Sequence, residues 1–351
     1  MNYPVVLEYV GKDMAKEFEG GKFIESLSTA MREKDEAARL GSELGRRGFN
    51  RLFLVGCGAP NRAMSILEYW LKRYARRVEV RRYFPAEFVH QYPAAIDEGT
   101  LVLLGSHSGT TKETVQSAAH LKGKPCTTVC ITQRSDSPLA REVQHPLTYG
   151  VCEHGYYPFN IMAQAFASGF FSEADDWPLH GPIMSSLEAL PSAIADAVEA
   201  SEVRVAKDAQ KLRDDRFLLV VGAGPMFSAA YIFGVCVLME SQWMHAYPSL
   251  AAEFFHGPFE VVDSSTPVVV LVGEDPGRPE AERAVRFCER FTDRLTVYDS
   301  KDFRMRGVHR DVRGVFAPIV VEAVLYRMAE HLAELHGQPL STRRYMGKKE
   351  Y

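Results

Sequence analysis

Residues 101–122 read LVLLGSHSGTTKETVQSAAHLK. The stretch opens on four apolar residues, Leu101–Leu104, and passes through the polar loop Ser106-His107-Ser108-Gly109-Thr110-Thr111 into a segment whose latter part is helical. A short apolar run feeding a helix through a tight polar turn is the building step of a parallel sheet, whose strands are buried on both faces and need no polar alternation. The step recurs on either side. Upstream, RLFLV (51–55) leads through Gly56-Cys57-Gly58 to a helix from Asn61, and Val78–Tyr83 reads as a further strand. Downstream, Thr127–Thr132 is a strand followed by the turn RSDSP. Strands and helices alternate with short turns, so the expected fold is α/β, a doubly wound parallel sheet flanked by helices.

The second half repeats the first in one constant register. Val55-Gly56-Cys57-Gly58 matches Val221-Gly222-Ala223-Gly224, and Ala86-Glu87-Phe88-Val89-His90 matches Ala252-Glu253-Phe254-Phe255-His256. The strand starting at Thr100 matches the one starting at Thr266. Three matches in one register predict a tandem duplication of one α/β unit. The copies diverge after the third strand, where the first has SHSGTT and the second EDPGRP. The predicted organisation is a leader and charged helix over 1–48, a first domain over 49–184 with an aromatic, Pro-rich connector, and a linking helix over 185–214. A second domain over 215–338 and a basic tail over 339–351 complete the chain. The N-terminal segment KDEAARLGSELGRR reads as a solvated helix face.

With 351 residues and 46% hydrophobic content, the chain is long enough for two buried cores. A net charge of -4 gives no reason to expect a nucleic-acid partner. The six cysteines are scattered through mostly apolar segments without zinc spacing, and MNYPVVLEYVGKD has no signal pattern. Reduced core thiols in a cytoplasmic protein are the expectation. Residues 217–239 carry no charge, but Gly222-Ala223-Gly224-Pro225 divides them into a strand and a helix too short to cross a bilayer, so no membrane partner is expected.

Two features carry chemistry. In 106–111, four hydroxyls, a glycine and the backbone N–H groups of a helix start form a site for an anion, and the absence of Lys suits a phosphate monoester held by hydrogen bonds. The loop lacks P-loop spacing, and GCGAPN (56–61) lacks the third glycine of a dinucleotide fingerprint. A cluster of N-capping hydroxyls remains the alternative. The second feature is ESQWMHAYPSLAAEFFHGPFE (240–260), which begins where the apolar helix from Met226 ends. Glu240 and His256 are suited to moving protons on a substrate, since burial raises a carboxylate's pKa and imidazole titrates near neutrality. Taken alone, the pair reads more simply as a solvated helix end and a turn residue. His90, Glu87 and Glu253 read as structural, while Trp243, His245 and Tyr247 fit a pocket lining or core packing.

SHSGTTKET (106–114) resembles the phosphate loop of the sugar isomerase (SIS) domain. A duplicated SIS unit with Glu and His sixteen residues apart in the second copy resembles the isomerase half of glucosamine-6-phosphate synthase. MESQWMH (239–245), AEFFHGPFEVVD (252–263) and PLSTRRYMGKKEY (339–351) are similar to the deglycases of fructosamine 6-phosphates, including those acting on 6-phosphofructose-aspartate and fructoselysine 6-phosphate. The resemblance implies that Ser106, His107, Ser108 and Thr111 hold a 6-phosphate. His107 replaces the Gln of isomerase relatives, and Pro60 replaces a frequent Ser. The resemblance also implies that Cys57, Gly58, Ala59 and Pro60 line the sugar, that Glu153 and Tyr156 belong to a pocket loop, and that the tail brings Lys348 over the site. Glu240 would be the base. His256 would be the acid, reaching a neighbouring subunit's pocket in an obligate homodimer.

The activity so implied cleaves a 6-phosphorylated fructose–amino acid to glucose 6-phosphate and a free amino acid. It proceeds by ring opening, deprotonation at C1 and imine hydrolysis, with no metal and no organic cofactor. An aldose–ketose isomerase or aminosugar-phosphate deaminase on the same scaffold is the alternative, and a non-catalytic phosphosugar sensor a second one.

Overall fold

A computed structural model describes residues 15–91, 96–152 and 154–350. The described residues form two compact units, one drawn from residues 21–193 and 305–316, the other from residues 15–20, 194–304 and 317–350.

The first unit follows helices α1 (Gly20–Ser26) and α2 (Ser28–Gly45) with β1 (Arg51–Gly56), α3 (Gly58–Tyr74), β2 (Glu79–Tyr83), α4 (Pro85–His90) and β3 (Thr100–Gly105). Then come α5 (Lys112–Leu121), β4 (Thr127–Thr132), α6 (Pro138–Glu142), β5 (His145–Thr148), α7 (Tyr156–Ala174) and the start of α8 (His180–Leu212). All strand pairs are parallel, in the order β2-β1-β3-β4-β5. Leu101 through Leu104 are fully buried, as a strand covered on both faces must be.

The N-terminal helix departs from its expectation as a solvated face. Ala30, Ala37, Ala38, Leu40, Gly41, Leu44 and Gly45 of α2 are buried. Even Lys34 is buried, held by Asp35 at 2.7 Å and Glu188 at 2.6 Å. The helix lies against α7, the helix inside the expected connector, which is buried from Tyr156 to Phe171. Glycines make the approach close: a Cβ on Gly41 would collide with the Phe166 carbonyl, and one on Gly169 with the Ala38 carbonyl. Charged residues dominate the composition of α2, but the small residues fall on one side, and it is their spacing that buries it.

The second unit carries β6 (Phe217–Gly222), α9 (Met226–Tyr231), β7 (His245–Leu250), α10 (Ala251–Phe254), β8 (Val268–Val272), α11 (Arg278–Phe291), β9 (Leu295–Asp299) and most of α12 (Arg313–His336). Its strands pair in parallel in the order β7-β6-β8-β9, which is the order of β2-β1-β3-β4. The starts of β6, β7 and α11, at Phe217, His245 and Arg278, stand in the repeat register with the starts of β1, β2 and α5, at Arg51, Glu79 and Lys112. The duplication expected from three short matches therefore extends through the whole unit. Each sheet packs one face on its own apolar cluster, centred on Phe53, Phe88 and Leu104 in the first unit and on Phe254, Val270 and Cys288 in the second.

Two strands, β5 and β7, carry no expectation from the sequence. Each is an edge strand containing a proline, Pro146 or Pro248, which removes a ladder donor and obscures a strand pattern. The apolar helix from Met226 also differs: after Tyr231 it widens into a π-helix, Ile232–Gln242. All six cysteines are free thiols, with Cys126, Cys130 and Cys288 buried. Among the described residues no helix is long and apolar enough to cross a membrane.

Candidate active site

In the first unit, β1 and β3 are neighbours, with Gly56 opposite Gly105. The loops that follow them therefore leave the sheet side by side at its carboxyl edge, where the strand order reverses and α/β sheets bind ligands. The sugar turn and the phosphate loop are far apart along the chain, and the sheet makes them adjacent. Helix α3 starts at Gly58 rather than at the expected Asn61, so Gly58, Ala59 and Pro60 form its first turn and not a free loop. Cys57 caps that helix with an extended backbone and is half-buried, which pushes its thiol pKa up.

The loop 106–111 is internally bonded. Ser106 is 2% exposed; its hydroxyl lies 2.9 Å from that of Thr111 and accepts the Gly109 N–H at 3.0 Å. The Ser108 and Thr110 hydroxyls are 2.8 Å apart. Gly109 takes φ +68°, a left-handed conformation that a side chain would strain, and its carbonyl accepts the Leu139 N–H at 3.0 Å. Thr111 stands at the N-cap of α5, yet its side chain makes no capping bond. The Thr111 hydroxyl is thus not spent on capping α5. His107 is anchored by Nδ1 to the Tyr149 hydroxyl at 2.8 Å, with the rings stacked. Burial, and secondarily the charge of His154, push its pKa down. Tyr156 is only 7% exposed and packs edge-on against Tyr157. Glu153 lies outside the described residues.

The matching loop of the second unit is built against an anion. Asp275 stands in it and accepts the Gly277 N–H at 2.8 Å. The Arg278 guanidinium is committed to Asp299, to Glu282 at 2.7 Å and to the Gly273 carbonyl at 2.9 Å.

Glu240 stands in the last turn of the π-helix in the second unit, its side chain 24% exposed. Burial raises its pKa, and the Arg343 guanidinium at 3.4 Å opposes that rise. Three residues on, Trp243 ends the helix with φ +55°, an outlier for a bulky residue, and a π-helix with such strain is a feature of functional sites. Core packing does not account for Trp243, His245 and Tyr247, because all three are exposed, Trp243 at the end of the π-helix and the other two on the edge strand β7.

Glu240 and His256 fall at opposite edges of the second sheet. The π-helix returns to the strand starts: Met244 N–H bonds the Leu238 carbonyl, and His245 N–H bonds the Arg216 carbonyl. His256 follows α10, beyond the far end of β7, where Leu250 pairs with Gly222. The whole strand β7, about 20 Å long, separates the two edges. His256 is exposed in the turn, and its N–H bonds the Glu253 carbonyl.

The tail packs at the Glu240 edge. Gln242 donates to the Gln338 carbonyl at 2.8 Å, and the Gln338 amide reaches the Ser241 carbonyl. Arg344 stacks over Trp243 with its guanidinium carbon 4.1 Å from the ring centre. Lys348 is exposed, its N–H bonded to the Tyr345 carbonyl. Sequence reasoning singles out Lys348 among the basic tail residues Arg343, Arg344, Lys348 and Lys349, whereas Arg343 is the one that touches Glu240; nothing in the spacing of RRYMGKK distinguishes the cations before the tail is folded.

The SIS domain profile matches residues 47–167. Fructosamine deglycase FrlB of Bacillus subtilis is 31% identical over 93% of this chain and 100% of its own length. Fructoselysine 6-phosphate deglycase of Escherichia coli K12 is 25% identical over 76% of this chain and 78% of its own. A crystal structure of a protein described as a phosphosugar isomerase from Bacillus subtilis superposes with a TM-score of 0.86 at 30% identity, covering 92% of this chain and 100% of that one. The chain belongs to the SIS-domain family of phosphosugar proteins, with fructosamine deglycases among its relatives.

Proposed function

We propose that this protein is a deglycase, cleaving a fructosamine 6-phosphate derived from an amino acid into glucose 6-phosphate and the amino acid. The observation that carries the reading is Glu240: a carboxylate raised in pKa by burial, at the strained end of a π-helix, under a basic tail. Such a group is a stronger base than an ordinary exposed carboxylate. Names of relatives supply the substrate class.

Ser106, Ser108 and Thr111, with backbone N–H groups at the start of α5, hold the 6-phosphate, and His107 is held by Tyr149 beside them. Cys57 to Pro60 face the sugar from the neighbouring strand end, and Tyr156 supports this region from within the core. In the open keto form, Glu240 removes a proton from C1. The electron pair forms C1=C2 while the C2 oxygen takes a proton, giving an enaminol. A proton returns to C2 as the nitrogen lone pair forms C1=N. One water then adds at C1, and the amine leaves. These steps need a base, an acid and a fixed phosphate.

His256 serves as the acid. The length of β7 separates the sheet edge that carries Glu240 from the turn that carries His256, which supports an imidazole supplied to this base by a second subunit. On this reading the functional protein is a homodimer with shared sites.

A panel of 6-phosphorylated fructose–amino acids, followed by coupled detection of glucose 6-phosphate, tests the reading. Release from one conjugate, abolished in Glu240→Gln and His256→Ala, supports it. Conversion of fructose 6-phosphate or glucosamine 6-phosphate instead would replace it with an isomerase or deaminase. Binding without turnover would make the protein a sensor.

A further inference from the structure

Arg343 reaches Glu240 through a single approach of 3.4 Å, long for a charge-assisted hydrogen bond, which spans about 2.8 Å. Its other terminal nitrogen donates to the Leu340 and Thr342 carbonyls at 2.8 Å each. The guanidinium is thus positioned by backbone and only loosely paired with the carboxylate. Both sides of it are fixed: Gln338 is tied to Ser241 and Gln242, and Arg344 rests on Trp243. A held backbone carrying a loosely paired cation allows a change of partner without moving the tail.

The substrate's own geometry requires such a cation. In a fructosamine formed on the α-amino group of an amino acid, C1 bonds to nitrogen, nitrogen to Cα, and Cα to the carboxylate carbon. That carboxylate is three bonds from the reacting C1, about 4 Å at most. A base that reaches the C1 proton therefore meets a second negative charge at close range, which opposes both substrate binding and carbanion formation.

Resting on the deglycase reading, we propose that Arg343 is the residue that recognises the α-carboxylate of the amino-acid half of the substrate, exchanging Glu240 for that carboxylate as substrate binds. A guanidinium fork suits a carboxylate in two-point contact better than the one-point contact it makes with Glu240. The exchange also releases the base from the cation that restrains its basicity, so deprotonation waits for a correctly seated substrate.

The test compares two conjugates that differ only in the carboxylate, the fructosamine 6-phosphates of glycine and of methylamine. The wild-type protein, Arg343→Ala and Arg343→Lys are each assayed for glucose 6-phosphate release. Wild-type protein is expected to favour the glycine conjugate. In Arg343→Ala the ratio of kcat/KM for glycine over methylamine falls roughly tenfold or more, mainly through KM, and Arg343→Lys falls between. An unchanged ratio, with both conjugates slowed alike, would make Arg343 a structural tail residue and overturn the proposal. A wild-type ratio near one would overturn it too. Failure of wild-type protein on every fructosamine phosphate would remove the deglycase reading itself, and this proposal with it.

Discussion

A mixed dimer separates shared from self-contained sites. One subunit carries Glu240→Gln and the other His256→Ala, with different affinity tags, and the mixed species is purified after co-expression. Each parent homodimer lacks either every base or every acid. If Glu240 and His256 worked within one chain, both sites of the mixed dimer would also be broken. The edges of the second sheet are separated by the length of β7, about 20 Å, a gap no side chain spans. A site formed across the dimer therefore pairs Glu240 of the His256→Ala subunit with His256 of the Glu240→Gln subunit. One site of two is restored, and the mixed dimer should show about half of wild-type activity by coupled glucose 6-phosphate release. A mixed dimer as inactive as its parents would refute the reasoning from sheet geometry.

Three further outcomes follow from the same observations. The acid limb of the pH–kcat profile should lie above the ordinary carboxylate range: burial raises the Glu240 pKa, activity needs the ionised base, and so rate is lost as pH falls through that raised value. A limb at or below the ordinary value would remove Glu240 as the base. Ser106→Ala takes away the acceptor for the Gly109 N–H and the partner of Thr111, and inorganic phosphate should then inhibit roughly tenfold more weakly; an unchanged inhibition constant would count against the loop as phosphate site. In urea denaturation, Gly41→Ala should cost about 2 kcal/mol or more, because its Cβ meets the Phe166 carbonyl in α7, whereas Gly21→Ala, with open space around it, should cost nothing.

Much of the fold is legible in local pattern. A strand buried on both faces reads as an uninterrupted apolar run, and β1, β3, β4, β6 and β8 announce themselves that way. The edge strands β5 and β7 do not, because each contains a proline, Pro146 or Pro248, that breaks the strand pattern, whereas the proline-free edge strand β2 is read as one. The repeat register holds the missing information for β7, since its start at His245 is the repeat partner of Glu79, where β2 starts. The π-helix cannot be read, because an apolar run without polar phase markers does not distinguish an ordinary α-helical turn from a wider winding.

For the site, the sequence by itself determined residue types and loop chemistry: hydroxyls at one strand end, carboxylates at its duplicate, and a Glu and a His in the second copy. Hydrogen-bonding capacity and charge belong to side chains and survive any folding, so these were readable. Only the tertiary structure decided who meets whom. It set Cys57 beside Ser106 through strand order, placed Glu240 and His256 at opposite edges of one sheet, and chose Arg343 rather than Lys348 as the cation at Glu240. Proximity between residues distant along the chain is fixed by sheet pairing and by how the tail packs, and neither is encoded in local spacing.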